Sequence, residues 1–365
     1  MKIAQSYSRI WKFSFFSNTI ASREPQQTLL PFLSIIQLLT ESFGSLHTST
    51  TEGQGCRDFS LKESLTNYVH NNGVNIPRER LSGGDWKLDS EEKLVIMDKI
   101  DKIGKPIKKI PSIEVRRGVT TGYNPAFIID GETRKALIRK DIGNKKLIKP
   151  LLQGRNIKKW CFVPTDTFLI NTYFDIDIPE KFPSIFEHLK NHKQALIRRD
   201  DQGRDWWNLR ACTYYEEFEK EKIIWGLTAD KWAFAYDDKK NFLPSNGYIL
   251  TSKAIPIKLI LAQLNCKLLE FYFEIVGIMT AGGAYTLKYE TVIDLPLKYN
   301  TKYDAKIVNC VDQILVLTKD SQCLEDSDKQ TKIQRLEEEI DNLVYELYGL
   351  TTKEIEIIEQ CHESH

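Results

Sequence analysis

Between Ile113 and Ile255 the chain is cut into short runs rich in β-branched and aromatic residues: SIEVRRGV, AFIID, FVPTDTFLINTYF, KIIWGLTA, WAFAYDD and NGYIL. Turn residues separate them at irregular intervals. Runs of this length and composition form strands, and their spacing predicts a mixed, mainly antiparallel sheet at the centre of the fold. Pro179 to Arg198 interrupts the pattern with apolar residues at 182, 185, 186, 189 and 196, close to a helical stripe, so a helical insert is expected between 179 and 222.

Helices flank this centre. Leu61 to Asn71 is a polar helix candidate stopped by Asn72-Gly73, and SGGDW (82–86) reads as a turn. A second helix runs from about Asp89 to Ile103, capped by Asp89 or Ser90 and terminated by Gly104 and Pro106. Ile257 to Ile275 is the most apolar helix of the chain and a core element, followed by a glycine loop, TAGGAYT (280–286). The tail from Asp304 to Ile358 is helical, with Ile333, Leu336, Ile340, Leu343, Val344 and Leu347 on one stripe that stops at Gly349. The expected class is α+β, with a helical C-terminal arm at 301–365. Residues 1–60, dense in Ser and Thr, read as a poorly ordered extension or the remnant of an upstream region.

At 365 residues, 41% hydrophobic and 28% charged, the chain has the composition of a globular protein with a substantial core. Its net charge of +1 hides an asymmetry. Sixteen lysines and arginines stand against five acids in 101–160, whereas thirteen acids stand against four bases in 320–365. The seven cysteines form no CxxC or CxxH pair, which predicts reduced thiols, no disulfide framework and no zinc site. The longest early apolar run, LLPFLSIIQLL (29–39), is too short to span a bilayer. Residues 1–20 lack the pattern of a signal peptide, so a cytoplasmic protein is expected, with no membrane partner.

No segment carries a catalytic signature. The glycine-containing turns SGGDW, TTGYN and TAGGAYT lack the spacing and following acid of a nucleotide-cofactor site. Asn124-Pro125-Ala126-Phe127 approaches the Asn-Pro-Pro-Tyr tetrapeptide of amino-methyltransferases, in which the polar group accepts from a flipped base and the aromatic ring stacks on it. Here Ala126 replaces the second proline, so a turn into strand AFIID is the expectation. EEK (91–93) and DDKK (237–240) contain residue types used by metal-dependent nucleases, but such short strings arise by chance. His188 and His192 share an i, i+4 spacing without an HExxH context, and a solvated helix face is expected. No catalytic and no metal residue is therefore assigned. Nucleic-acid binding is better supported: the basic stretch is interleaved with Tyr123, Phe127 and Trp160 as stacking surface, and Gly118, Gly122, Gly143 and Gly154 could let backbone approach a phosphate.

The series RRGVTTGYNPAFIID, then TR, then LIKPLLQGRNIKKW resembles the target-recognition region of type IIG restriction–modification enzymes and the C-terminal specificity domain of Taq-type adenine-specific DNA methyltransferases. Further matches follow in order: FPSIFEHLKNHKQALIRRDDQGRDWWNLRAC, YYEEFEKEKIIWG, AFAYDD with FLPSNGYIL, LAQLNCKLLEFYF, AGGAYTLKYETVIDLPL and IQRLEEEIDNLVYELYGLT. Each is weak alone; six in fixed order are specific. The resemblance covers about 60 to 360 and implies a DNA target-recognition domain over 61–300. It implies duplex DNA as partner and a catalytic part elsewhere, in a separate methyltransferase or nuclease chain. That part would hold S-adenosylmethionine, and Mg2+ if a nuclease is fused, leaving no cofactor in this chain. By residue type, Arg116, Arg117, Lys149, Arg155, Lys158 and Lys159 are the expected phosphate contacts. Thr121, Tyr123, Asn124, Trp206, Trp207 and Arg210 are the expected base-edge or stacking contacts. A protein-interaction module or decayed fragment without DNA binding, and a complete methyltransferase, are the competing readings.

Overall fold

The computed structural model describes residues 89–173, 176–200, 202–280, 283–319 and 325–363. The expected extension at 1–60, the helix at 61–71 and the turn at 82–86 lie outside them. Helix α1 (Glu91–Ile103) starts where the Ser90 hydroxyl accepts from Lys93 N and ends at Gly104, as its sequence signals require. Strands β1 (Lys105–Pro106) and β2 (Ile113–Arg117) follow. A small subdomain comes next: α2 (Asn124–Phe127), β3 (Ile128–Asp130), α3 (Gly131–Lys140), β4 (Ile148–Pro150) and β5 (Thr167–Ile170). The insert folds as three short helices, α4 (Ile178–Lys181), α5 (Pro183–Lys190) and α6 (Lys193–Ile197). Pro183, lacking an N–H, opens a new helix instead of continuing the first.

The second half begins with β6 (Lys222–Gly226), β7 (Thr228–Ala229), β8 (Ala235–Asp237) and β9 (Gly247–Ser252). Then come α7 (Ile257–Asn265), α8 (Lys267–Val276), β10 (Ile278–Met279), β11 (Tyr285–Thr286), α9 (Tyr289–Val292) and β12 (Pro296–Leu297). Three helices close the described chain: α10 (Asp304–Leu317), α11 (Ser327–Leu347) and α12 (Thr352–Glu363). None of the described helices is long and apolar enough to cross a membrane. None of the five described cysteines forms a disulfide.

The principal sheet is antiparallel, in the order β2–β9–β6–β8. Its two central strands are apolar on both faces, which is why KIIWG and GYIL read as continuous apolar runs. Ile223, Trp225, Tyr248 and Leu250 point into one core, formed with α1, α7, α8 and the C-terminal helices. Ile224, Ala235 and Ile249 point into the other, formed with the β3–β5–β4 sheet and the helical insert. The C-terminal stripe packs into the first core through Ile333, Ile340, Leu343, Val344 and Leu347, so the acidic helix covers its own domain.

One expectation fails at a single residue. The run Ile257–Ile275 is not one helix: Cys266 is extended, with φ −79° and ψ 154°. Asn265 turns its carboxamide onto the backbone of Phe234, accepting from Phe234 N at 3.0 Å and donating to Phe234 O at 2.9 Å. Asp341 on α11 accepts from Lys267 N at 2.9 Å and so caps α8. Hydrophobic periodicity runs unbroken through the site; the break is decided by partners far away in sequence.

Two features taken as possible metal chemistry have structural roles. Glu91 and Glu92 occupy the first turn of α1, the favourable end of its dipole. Asp237 pairs with Lys222 at 2.6 Å, both fully buried, and accepts from Asn241 N at 3.0 Å and Lys239 N at 2.8 Å, forming the turn after β8. Burial pushes the Lys222 ammonium below the ordinary lysine value, and the Asp237 carboxylate opposes that shift. Removing one member of such a pair strands the other charge. Lys222→Met is expected to lower the unfolding free energy by about 3–5 kcal/mol, read as a fall in the urea midpoint with an unchanged slope.

Candidate nucleic-acid interface

The loop that leaves β2 is shaped by two glycines. A Cβ on Gly118 would lie 2.0 Å from Pro244 O and 2.5 Å from Leu243 O, so only glycine lets this strand end close on the 243–247 turn. There Gly118 N donates to Gly247 O at 2.8 Å and Val119 N to Leu243 O at 2.7 Å. Gly122 takes φ +70°, the left-handed region that reverses the chain. Gly118 and Gly154 therefore serve chain-to-chain packing, Gly154 against Gly226, and Gly143 sits beside the Asp141 carboxylate that accepts from its N–H.

The reversed loop borders an open groove of about 730 Å3. Thr120, Asn124, Gln153, Ser245 and Asn246 give it polar lining; Val119, Pro125, Ile128, Leu151 and Pro244 give it apolar lining. Among the described residues, none with a charged side chain lines it. On the other side of Thr120, Gly122 and Tyr123 lies a smaller groove of about 380 Å3, with Arg198, Arg199 and Asp200 in its wall. The loop thus stands as a ridge between two grooves.

Arg199 holds the ridge. Its guanidinium donates to Thr121 O at 2.8 Å, Leu196 O at 3.1 Å, Trp206 O at 2.7 Å and Asn208 O at 2.9 Å. It also lies 5.1 Å from the Phe127 ring centroid. One buried fork thereby ties the 120–124 loop, the end of α6 and the 206–208 segment together. Sequence reading did not single out Arg199, because the string RRDD gives no sign of which arginine faces inward. His188 on α5 adds a second tie through Nε2 and Ala126 O at 3.1 Å, and its ring lies 5.7 Å from that of His192. The pair expected on a solvated face is half-buried and supports α2.

The expected contact residues separate into two sets. Thr121, Tyr123 and Asn124 sit at the ridge, where the buried Thr121 hydroxyl donates to Asn124 Oδ1 at 2.5 Å. Arg116 is exposed at the end of β2, 3.1 Å from Glu114 and over the Tyr214 ring, and Arg117 donates to Ser245 O beside the groove. Arg155 and Lys158 are exposed, with no ion-pair partner among the described residues. Elsewhere, Lys149 is paired with Glu219 at 2.6 Å and Lys159 with Glu337 of α11 at 2.9 Å. Trp206 and Trp207 pack edge-on at 5.4 Å and both meet Phe186, while Arg210 is exposed and its carbonyl accepts from Tyr215.

Phe127 and Trp160, read from sequence as stacking surface, are corrected: they are 0% and 2% exposed. The NPAF segment is a helical turn whose aromatic ring is in the core, so it cannot stack on a flipped base. The TTGYN turn leads into a four-residue helix and brings no acid for a ribose. These residues do not fit S-adenosylmethionine.

Two outcomes follow from the ridge. Arg199→Lys keeps the charge but loses the planar fork; it should lower stability by about 1–3 kcal/mol and speed amide exchange in 120–124. Burial pushes the His188 imidazole below its ordinary value of 6.5; its bond to Ala126 opposes that, and His192 and Lys140 add to it. Above that value the ring is neutral in both states and contributes no pH dependence. As pH falls through it, the unfolded chain takes up the proton first and the folded state loses stability. His188→Gln should therefore show a smaller loss than the parent protein between about pH 7.5 and 5.5 in thermal melts.

Comparison with known proteins agrees with this architecture. Residues 149–297 match the TaqI-like C-terminal specificity domain. Among solved structures, the type IIL restriction–modification enzyme MmeI, determined in complex with DNA, superposes with a TM-score of 0.53 at 14% identity. The match covers 71% of this chain and 36% of MmeI. The type IIG restriction endonuclease BpuSI aligns over 74% of this chain and 35% of its own length, at 12% identity and a TM-score of 0.40. The chain thus spans about a third of the length of these two enzymes. The matched segment, 149–297, is similar to the TaqI-like C-terminal specificity domain, the family that the ordered motifs of the chain resemble.

Proposed function

We propose that this chain binds duplex DNA sequence-specifically, as the target-recognition part of an adenine-specific methyltransferase or restriction–modification system of the cytoplasm. The observation that carries the reading is the 120–124 ridge beside an uncharged, hydrogen-bonding groove, with exposed cations nearby in sequence and space. Phosphates are met by cations, whereas base edges are met by neutral donors, acceptors and methyl contacts. Arg155 and Lys158, which follow Gln153 of the groove wall, and Arg116, at the strand end that feeds the ridge, fit phosphate positioning. Lys149 and Lys159 are committed to Glu219 and Glu337 and fit a structural role.

In this reading the chemistry belongs to a methyltransferase part, on a separate chain or elsewhere in the enzyme. That part would bind S-adenosylmethionine, together with Mg2+ where a nuclease is present. The acidic face of α11 takes no part in binding DNA.

Anisotropy titrations of a labelled duplex pool across a salt series test the proposal. Affinity should fall steeply with salt. Lys158→Ala and Arg155→Ala should each weaken binding of all sequences alike and reduce the log–log salt slope by about one. Salt-insensitive partner binding with no duplex affinity would identify a protein-interaction module instead, and S-adenosylmethionine binding by the chain alone in calorimetry would identify a complete methyltransferase.

A further inference from the structure

We propose that Asn246 and Gln153 are the specificity-determining side chains of the groove, and that the groove reads an A·T base pair. The inference rests on the DNA-binding reading above and goes further by naming the readers and the base pair.

The chemistry of the groove wall leaves these two side chains as the readers. In the major groove, guanine is read by Arg or Lys and cytosine by an acid, whereas adenine pairs with an Asn or Gln amide and the thymine methyl takes apolar contact. No charged side chain among the described residues lines this groove. Its wall instead holds two amides, Asn246 and Gln153, on segments separate from the ridge, and apolar surface from Pro125, Ile128 and Pro244. That set matches the adenine edge and the thymine methyl, and it lacks the charged side chains that pair most specifically with G·C.

The two segments are held as one unit. Leu152 N donates to Phe242 O at 2.9 Å and Phe242 N to Pro150 O at 2.8 Å, joining the Gln153 segment to the chain that enters the 243–247 turn. Leu227 N donates to Asn246 O at 2.8 Å, fixing that backbone against the end of β6. A Cβ on Gly154 would sit 3.2 Å from the Gly226 Cα, which brings the residue after Gln153 against the same strand end. The Asn246 side chain is exposed and hydrogen-bonds to no described residue, so its amide is open to an incoming base edge. Asn124 is less suited, because its Oδ1 already accepts from the buried Thr121 hydroxyl. The Gln153 side chain accepts from the Asn156 backbone N–H in a capping box, which leaves its amide NH2 as the group free to donate to a base.

Selection of the full chain on a randomised duplex library, followed by sequencing, tests this. The parent protein should enrich a site containing a fixed A·T pair. Asn246→Ala and Gln153→Ala should each relax preference at A·T positions by about 5- to 150-fold, while affinity for random duplex stays within about twofold of the parent. Lys158→Ala should weaken binding without changing the enriched site. Because Asn246 is exposed, Asn246→Ser serves as a second variant whose melting temperature should equal the parent's. Unchanged preferences in the amide variants, or a fixed G·C pair at the position they relax, would overturn the assignment. Duplex binding with no sequence preference would also overturn it while leaving DNA binding standing. Absence of binding to any duplex would defeat the DNA-binding reading itself.

Discussion

Burial of β6 and β9 on both faces is the constraint on which the rest of the structure depends. In β6 every residue from Lys222 to Gly226 is buried, and alternate side chains enter different cores. A strand with one wet face tolerates polar residues at every second position; this one does not, and its single charge, Lys222, is paired across the ladder with Asp237. The sheet therefore works as a partition. Helices of the C-terminal half cover one side, and the small sheet with its helical insert covers the other.

That partition places the candidate site at its edge. Gly226 at the end of β6 and Gly247 at the start of β9 pair with each other, and Gly118 just beyond β2 bonds to Gly247, so three strand ends converge on the groove. Arg199 and His188 then pin the outer loop to the insert. Trp160 does the corresponding work on the far side. It takes φ +73°, unusual for a bulky residue, and bonds through its backbone to Phe234 and Tyr236 and through its indole to Glu337 at 2.5 Å. One cation of the basic middle, Lys159, is thus paired with an acid of the C-terminal arm, Glu337, which also accepts from the Trp160 indole. What remains on the surface near the groove is a smaller basic set than the composition suggests.

The α+β class, the antiparallel pattern, the α1 boundaries and the C-terminal stripe were legible because each is written in local period and capping residues. Ser90 marks the start of α1 with its hydroxyl cap, Gly104 marks its end, and Gly349 ends α11 in the left-handed region at φ +60°. The neighbourhood of the site was legible too: the 116–160 stretch contains the ridge, most of the groove wall and the exposed Arg155 and Lys158. Beyond that, residue type did not show the neighbours: Trp206 and Trp207, half-buried, pack on Phe186 of the helical insert.

By itself, the sequence determined the class of fold, the order of its motifs and the domain family those motifs resemble, since these rest on short-range propensities and on signatures that survive in linear order. Only the tertiary structure decided which of two adjacent arginines is buried, where the apolar helix breaks at Cys266, which lysines are spent on acids of α11 and the Tyr215–Glu219 turn, and that Gln153 and Asn246 face one groove. Each of those outcomes depends on a partner some seventy or more residues away, and no local pattern encodes such a contact.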